Sequence, residues 1–449
     1  MWRETHPFTR SQHPCRVLVQ SNGCASEAQR AGAYVGCSTS QQLALPSSLL
    51  QHILGRAHAP QTELANGPRS AQRQNAHNPF RAARTRSSFS PHYTCPDMAL
   101  LDQPVLILGV GGVGRALVRH IVAARARHAA RNRLRLRVVG LVDSRSAVLD
   151  QQGFSDEALL AFVACKEQGL PLASENPHWR VADLPARTIV VDTTASEATV
   201  PILLEAKARG LGVVLANKLP LAGPLAWWDA LADERSRWET TCGAALPVIS
   251  TLDTLLNSGD DVLRIEGALS GTLGFLAAQL EQGAPFGAAV REAKTKGYTE
   301  PDPRQDLSGL DAARKALILA RMLGYRLELR DVAVEALYPA EMDALSVEQF
   351  LDAVDTLDEP MRARAAALTR EGQTLRYVAT IGDGCVRVGL VGVSRESTLG
   401  RVHTSDSVVV FHTRDFSDNP LTISGRGAGQ AVTASGVLGD IVSLAQALC

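Results

Sequence analysis

The amino-acid sequence lacks any excess of charge: across 449 residues, 46 Lys and Arg face 46 Asp and Glu. That balance excludes the one-signed field with which a chain gathers nucleic acid or an acidic partner. No apolar run reaches the roughly 18–20 residues a helix needs to cross a bilayer, so no membrane partner is expected. The eight cysteines show no CxxC or Cys/His spacing, which argues for a reducing compartment and against a zinc site. Internal repeats are absent too. What remains reads as a soluble chain of two or three domains, long enough to bury a sizeable core.

Lysine is missing altogether from residues 1–97, which hold ten Arg, four acids and six of the eleven His. A stretch so rich in Ser, Gln and Ala cannot supply a packed core. With "FRAARTRSSFSPHY" at its end it has the makeup of an organelle transit peptide. A disordered extension without an address, or an upstream region before a start at Met98, fits the same composition.

Folding begins with "PVLILGVGGVGRALVRHIVAARARH". The run Val105–Leu108 is expected as a short buried strand, and Gly109, Gly111 and Gly114 open a helix whose apolar residues recur at helical spacing. The first glycine permits a tight turn, the second admits a pyrophosphate against the backbone, and the third lets helix pack on strand. Free N–H groups at the helix start, with its dipole, face the phosphates. A second strand, "LRVVGLVDSRS", follows as in a βαβ unit. At its end Asp143 suits a ribose 2′-hydroxyl and so NAD, Arg145 a 2′-phosphate and so NADP; Asp143 also suits a turn or helix cap.

Further strands are expected at "TIVVDTTAS" and "GVVLANK". They place Thr193, Thr194 and Ser196, then Asn217 and Lys218, just past the carboxyl edge where open parallel sheets bind ligands. Five or six parallel strands with covering helices are expected for residues 98 to about 240. "GALSGTLGF" reads as a strand running into a helix. From 330 to 410, helices alternate with the strands "TLRYVATI", "VRVGLVGV" and "SVVVFHTR", an α+β pattern. The end of the chain supplies a last strand, a glycine turn at Gly425, Gly427 and Gly429, and a closing helix.

Between these parts lies "GYTEPDPRQDLSGLDAARKALILARML". Its prolines disfavour helix over 299–303, and Ser308 is a plausible N-cap. Asp311 and Lys315 then lie one turn apart on one face, with Glu300, Asp302 and Asp306 in the loop above. An isolated pair of this kind is usually a surface ion pair of little consequence. Here the helix continues too apolar to be exposed, so several carboxylates are expected to converge on one partly dry lysine. Such an arrangement of carboxylates suits a ligand's ammonium group, and the lysine, with its pKa lowered by burial or a neighbouring cation, can hand a proton to a carbonyl receiving hydride.

The stretch 293–315 resembles the signature of the homoserine dehydrogenases, A-x3-G-Y-T-E-P-D-P-x2-D-L-x-G-x-D-x3-K, at every position compared. "GVGGVG", "ANK", "PVIS", "GALSGTLGF" and "GRGAG" extend the resemblance from Val105 to the end of the chain, in the layout of the monofunctional plant and algal type without aspartate kinase or ACT domain. The resemblance implies an α/β chain: a Rossmann-type parallel-sheet nucleotide-binding domain over 98–240, completed by about 415–449, and an α+β catalytic and dimerisation domain over 241–414. It implies reversible NAD(P)H-dependent reduction of L-aspartate 4-semialdehyde to L-homoserine by a homodimer. In it Lys315 would give the proton, Lys218 would stand near nicotinamide and substrate, and Glu300, Asp306 and Asp311 would hold the substrate's amino group and the lysine. The cofactor, NADP or NAD, would contact Gly109, Gly111, Gly112, Val113, Gly114, Arg145, Thr193, Thr194, Lys218 and Gly429. A sodium ion would lie on Glu239, Cys242, Ala244 and Leu246, mostly through backbone carbonyls; the bland reading of that loop is a tight turn. Leu219 departs from the second lysine common after "ANK", and Cys242 and Ala245 from the usual sodium-loop residues. An organelle address would mean the plastid stroma, a start at Met98 the cytoplasm.

Overall fold

Strand periodicity explains how the first half of the chain builds two cores at once. In the computed structural model, which describes residues 100–173, 179–402 and 406–448, β1 (Leu101–Leu108) sends Leu106 and Leu108 to one face and Val105 and Ile107 to the other. Both faces are covered, so the strand needs no polar alternation. Residues 1–97, expected as a transit peptide, and Met98 lie outside the described residues.

Helix α1 (Gly112–Asn132) buries Gly114, Leu117, Val118 and Ile121, one stripe at helical spacing, and ends at Arg133 in the left-handed region. It is followed by β2 (Leu134–Val142), β3 (Ala147–Leu149), α2 (Asp156–Glu167), β4 (Ile189–Asp192), α3 (Val200–Ala208), β5 (Gly212–Leu215), the short helices α4 (Leu219–Ala222) and α5 (Leu225–Leu231), and β6 (Ser236–Arg237). These strands form one sheet in the order β3-β2-β1-β4-β5-β6. Five are parallel, and the edge strand β3 runs antiparallel to β2. The short β3 and β6 carry too little apolar pattern to be read from sequence.

The second half contributes α6 (Thr240–Gly243), α7 (Val248–Asn257), β7 (Val262–Ala268), α8 (Gly271–Glu281), α9 (Phe286–Thr295), α10 (Arg304–Leu307), α11 (Leu310–Met322), β8 (Ala333–Val334), α12 (Val347–Ala353), α13 (Asp358–Arg370), β9 (Gln373–Gly382), β10 (Cys385–Ser394), β11 (Ser407–Thr413), β12 (Leu421–Gly425) and α14 (Gln430–Ala447). Its sheet runs β12-β11-β7-β9-β10-β8, antiparallel except for the β10–β8 pair. Helix α11 is the shared wall. Its Ala313, Ala316, Leu317 and Ala320 are fully buried in the cluster that also takes Leu106, Val213, Ile265 and Tyr377, so one core joins both sheets. Truncating Leu317 there would cost about 2–5 kcal/mol. Helix α14 returns to pack Val437, Ile441 and Leu444 on the α1 side of the first sheet.

The expected helix start at Ser308 is corrected. Pro303 leads into the one-turn α10, and Gly309, at φ 73°, breaks the chain before α11 begins at Leu310. Ser308 Oγ donates to the Gln305 carbonyl at 2.9 Å, the local bond open to a residue ending a helix.

Candidate active site

Each glycine of the first turn has its own physical reason. Gly109 holds φ 89°, and a Cβ at Gly114 would stand 2.0 Å from the Gly109 carbonyl oxygen, so the turn and the helix packing both exclude side chains. Around the Cβ position of Gly111 nothing stands within 4 Å. That is the open approach a pyrophosphate requires. Val113 is half-buried behind the turn against the α1 core.

The carboxyl edge of the first sheet is tied together by polar bonds. Thr193 Oγ1 donates to the carbonyls of Leu108 (3.1 Å) and Gly109 (2.6 Å), so its hydroxyl fastens the glycine turn. Asp192, fully buried, accepts from the Thr194 N–H at 2.9 Å, Thr199 Oγ1 at 2.7 Å and Asn217 Nδ2 at 3.1 Å. Asn217 Nδ2 also reaches Thr194 Oγ1 at 3.2 Å, and Asn217 Oδ1 accepts from the Leu219 N–H at 3.1 Å. Lys218 is thereby set between two fixed neighbours. Leu219 lines a cavity of about 460 Å³ with Pro224, Arg314 and Leu329.

From this edge Lys218 reaches α11. Its Nζ lies 3.0 Å from Asp311 Oδ1, while Lys315 Nζ lies 2.9 Å from Asp311 Oδ2 and donates to the Leu269 carbonyl at 2.6 Å. The Lys315 side chain is 11% exposed. A lysine ammonium has three donors, so one of Lys315's remains beyond these two partners. Burial by itself would push the Asp311 carboxyl up; the two ammonium groups overcome it and hold the carboxyl well below the usual carboxylate range. A continuous path of contacts thus runs from Gly109 through Thr194, Asn217, Lys218 and Asp311 to Lys315.

The expected convergence of several carboxylates on one lysine is corrected to the converse, one carboxylate between two lysines. Asp302 is held by Arg304 at 2.8 Å, which also donates to the carbonyls of Met342, Asp343 and Leu345. Asp306 accepts from Thr272 Oγ1 at 3.1 Å and from the Glu300 N–H at 2.8 Å, and burial pushes its carboxyl up. Its bonds shape the loop that carries Glu300, whose side chain is exposed at the rim. Asp143 is engaged too: Oδ1 accepts from the N–H groups of Arg145 and Ser146 at 2.8 Å, and Lys166 lies 2.6 Å from Oδ2. Arg145 stands exposed at the same strand end, and Gly429, at φ 125°, opens α14.

In the loop Glu239–Leu246, Ala244 takes φ 54°, a costly conformation for a residue with a Cβ. The Glu239 carboxylate accepts from the N–H groups of Ile249 (2.7 Å) and Ser250 (2.9 Å), capping α7. The Cys242 thiol is fully buried, donates to the Lys315 carbonyl at 3.6 Å, and is pushed up to about 12 by burial. A thiolate ligand therefore does not fit. No group of three His, Cys, Asp or Glu suited to a metal occurs among the described residues. Beside the loop lies Asp440, 8% exposed, whose Oδ2 accepts from the Glu239 N–H at 3.0 Å. Burial and the Glu239 charge push it up to about 8. Sequence reasoning missed Asp192 and Asp440; the available signal was an acid closing or interrupting an otherwise apolar run, "TIVVD" and "VLGDIV".

Comparison with known proteins agrees with this geometry. The family model for the homoserine dehydrogenase NAD binding domain matches residues 109–242, and that for homoserine dehydrogenase matches residues 247–442. The homoserine dehydrogenase of Emericella nidulans is 38% identical over 290 residues, 60% of this chain and 78% of that protein. The bifunctional aspartokinase/homoserine dehydrogenase of Haemophilus influenzae is 35% identical over 353 residues, 76% of this chain but only 43% of that protein's length. A hyperthermophilic archaeal homoserine dehydrogenase, solved in complex with NADPH, superposes with a TM-score of 0.60 at 25% identity, covering 76% of this chain and 97% of that one. With an NAD-binding domain, an aspartate bridging two lysines and relatives of this kind, the chain belongs to the homoserine dehydrogenase family.

Proposed function

We propose that the chain interconverts L-aspartate 4-semialdehyde and L-homoserine with a nicotinamide cofactor, and that Lys315 is its general acid and base. The carrying observation is the Lys315 ammonium, mostly buried, fixed by Leu269 and Asp311, with a donor left over. A bound dihydronicotinamide supplies the hydride. As negative charge grows on the substrate oxygen, Lys315 stabilises it and transfers a proton to it, a contribution of about 10²–10⁴-fold. Asp311 holds Lys315 and Lys218 in register across the cleft. Glu300 at the rim and Asp306 behind it serve the substrate's amino group.

Residues Gly109, Gly111, Gly112, Val113 and Gly114, with Thr193, Thr194, Lys218 and Gly429, form the cofactor side. NADP is favoured over NAD because Asp143 is already occupied by its own loop and Lys166, while Arg145 is free to meet a 2′-phosphate. Sodium, held by carbonyls of Glu239, Cys242, Ala244 and Leu246, would answer the acids Glu239 and Asp440. A homodimer and a plastid address encoded in residues 1–97 complete the reading; light scattering and the mature N-terminus in cells test them.

A rival use of the same metabolite, oxidation through a thioester, needs a nucleophilic thiol. Cys242, buried and pushed up to about 12, is unsuited to that task. The deciding experiment is an assay of the purified chain with homoserine and NADP+ or NAD+ in turn, following reduced nicotinamide. Turnover with NADP+ is expected to exceed that with NAD+, and no turnover with either would refute the proposal.

A further inference from the structure

Two long helices begin at the glycine turn, and neither is capped. Helix α1 starts after Gly111 and α14 after Gly429; in both, no side chain caps the first turn and no acid lies in it. Helix α2 shows an ordinary start in the same chain: Ser155 Oγ accepts from the Ala158 N–H at 3.2 Å, and Asp156 and Glu157 answer the dipole. The N–H groups and positive ends of α1 and α14 have no such answer.

One contact brings the two starts together. A Cβ at Gly112 would lie 2.3 Å, 2.4 Å and 2.6 Å from the amide carbon, nitrogen and oxygen of Gln430. The missing side chain at Gly112 is therefore the room in which that amide lies. Gln430 is the first residue of α14 and is exposed. Its neighbour across the turn, Gly111, faces open space. An exposed amide laid on the first turn of another helix, beside uncapped donors and an open approach, is suited to an anion. Gln offers N–H donors without a charge that would repel phosphate.

We propose that Gln430 is a cofactor-binding residue whose side-chain amide donates to the pyrophosphate of the dinucleotide, joining the starts of α1 and α14 into one anion cradle. The inference rests on the reading of the chain as an NAD(P)-dependent enzyme and adds to it a residue from the far end of the sequence. The test is a titration of the full chain with NADPH, followed by its fluorescence, for the parent, Gln430→Leu and Gln430→Glu. Gln430→Leu should raise Kd about tenfold, as expected for losing one hydrogen bond to a charged group, and Gln430→Glu should raise it further. Adenosine 2′-monophosphate, which has no pyrophosphate, should bind all three alike by competition. NADPH bound as tightly by Gln430→Leu as by the parent would overturn the inference, as would equal weakening of both ligands. Failure of the parent itself to bind NADPH or NADH is a separate result and would remove the cofactor reading as well.

Discussion

Asp311 lies on α11 and Asp440 on α14, and burial acts on both carboxyls in the same direction. Asp311 stands between Lys218 and Lys315 and is held below the usual carboxylate range; Asp440 stands beside Glu239 and is pushed up to about 8. Burial pushes both up, yet one is a permanent anion and the other a neutral-leaning acid. The sign of the neighbouring charge separates them. One site already owns its cations; at the other the cation is the proposed sodium ion.

The comparison breaks most sharply if a cation is removed from the first site. Lys315→Ala should lower turnover by about 10²–10⁴-fold. NADPH affinity should stay within about twofold, because the loss falls on the transition state rather than on uniform binding. Steady-state rates and a fluorescence titration measure the two. Turnover near the parent's would take Lys315 out of the chemistry and leave Asp311 with a merely structural lysine pair.

The second site is sharpened by supplying or withholding the proposed cation. Exchanging sodium chloride for choline chloride at constant ionic strength should lower the melting temperature by about 2–4 °C, since an ion bound only by the folded chain stabilises it by mass action. Asp440→Asn should narrow that gap, because a bound cation can no longer draw the proton off a carboxyl beside the loop and gain its charge. Equal melting of the parent in both salts would leave the loop as a tight turn made by Ala244, without an ion.

How far these sites were legible in the sequence depends on the range of the interaction that makes them. The Asp311–Lys315 pair is local, one helical turn apart, and its spacing anticipates the 2.9 Å contact. The glycines of the first turn are local as well: Gly109 and Gly114 meet the constraints of turn and packing assigned to them, while Gly111 faces open space. Lys218 meeting Asp311, or Glu239 meeting Asp440, joins distant segments through the packing of whole helices, for which no spacing exists. The mistaken convergence of acids on Lys315 has another source. Arg304, two residues from Asp302, captures that carboxylate with its guanidinium, a short-range competition that reading the acids alone passes over. Strand period two, by contrast, divides "VLIL" correctly between two cores because both faces of a parallel sheet are buried.

The subtlest test of the comparison is the pH dependence that the first carboxyl leaves on stability. The folded pKa of Asp311 is depressed, so its ion pairs stabilise the chain fully above the unfolded carboxyl value, near 3.9. That stabilisation is lost as pH falls from there toward the folded value. Asp311→Asn, with no proton to gain, lacks this term. Urea midpoints of the parent and Asp311→Asn should therefore run parallel from about pH 7 to pH 5, and the parent's should fall more steeply below about pH 4. The Asp311 side chain keeps 45% of its exposure, so solvent screening reduces the size of the effect without changing its sign or window. Parallel curves down to pH 3 would mean that the two ammonium groups do not hold Asp311 ionised, and the contrast with Asp440 would lose its first half.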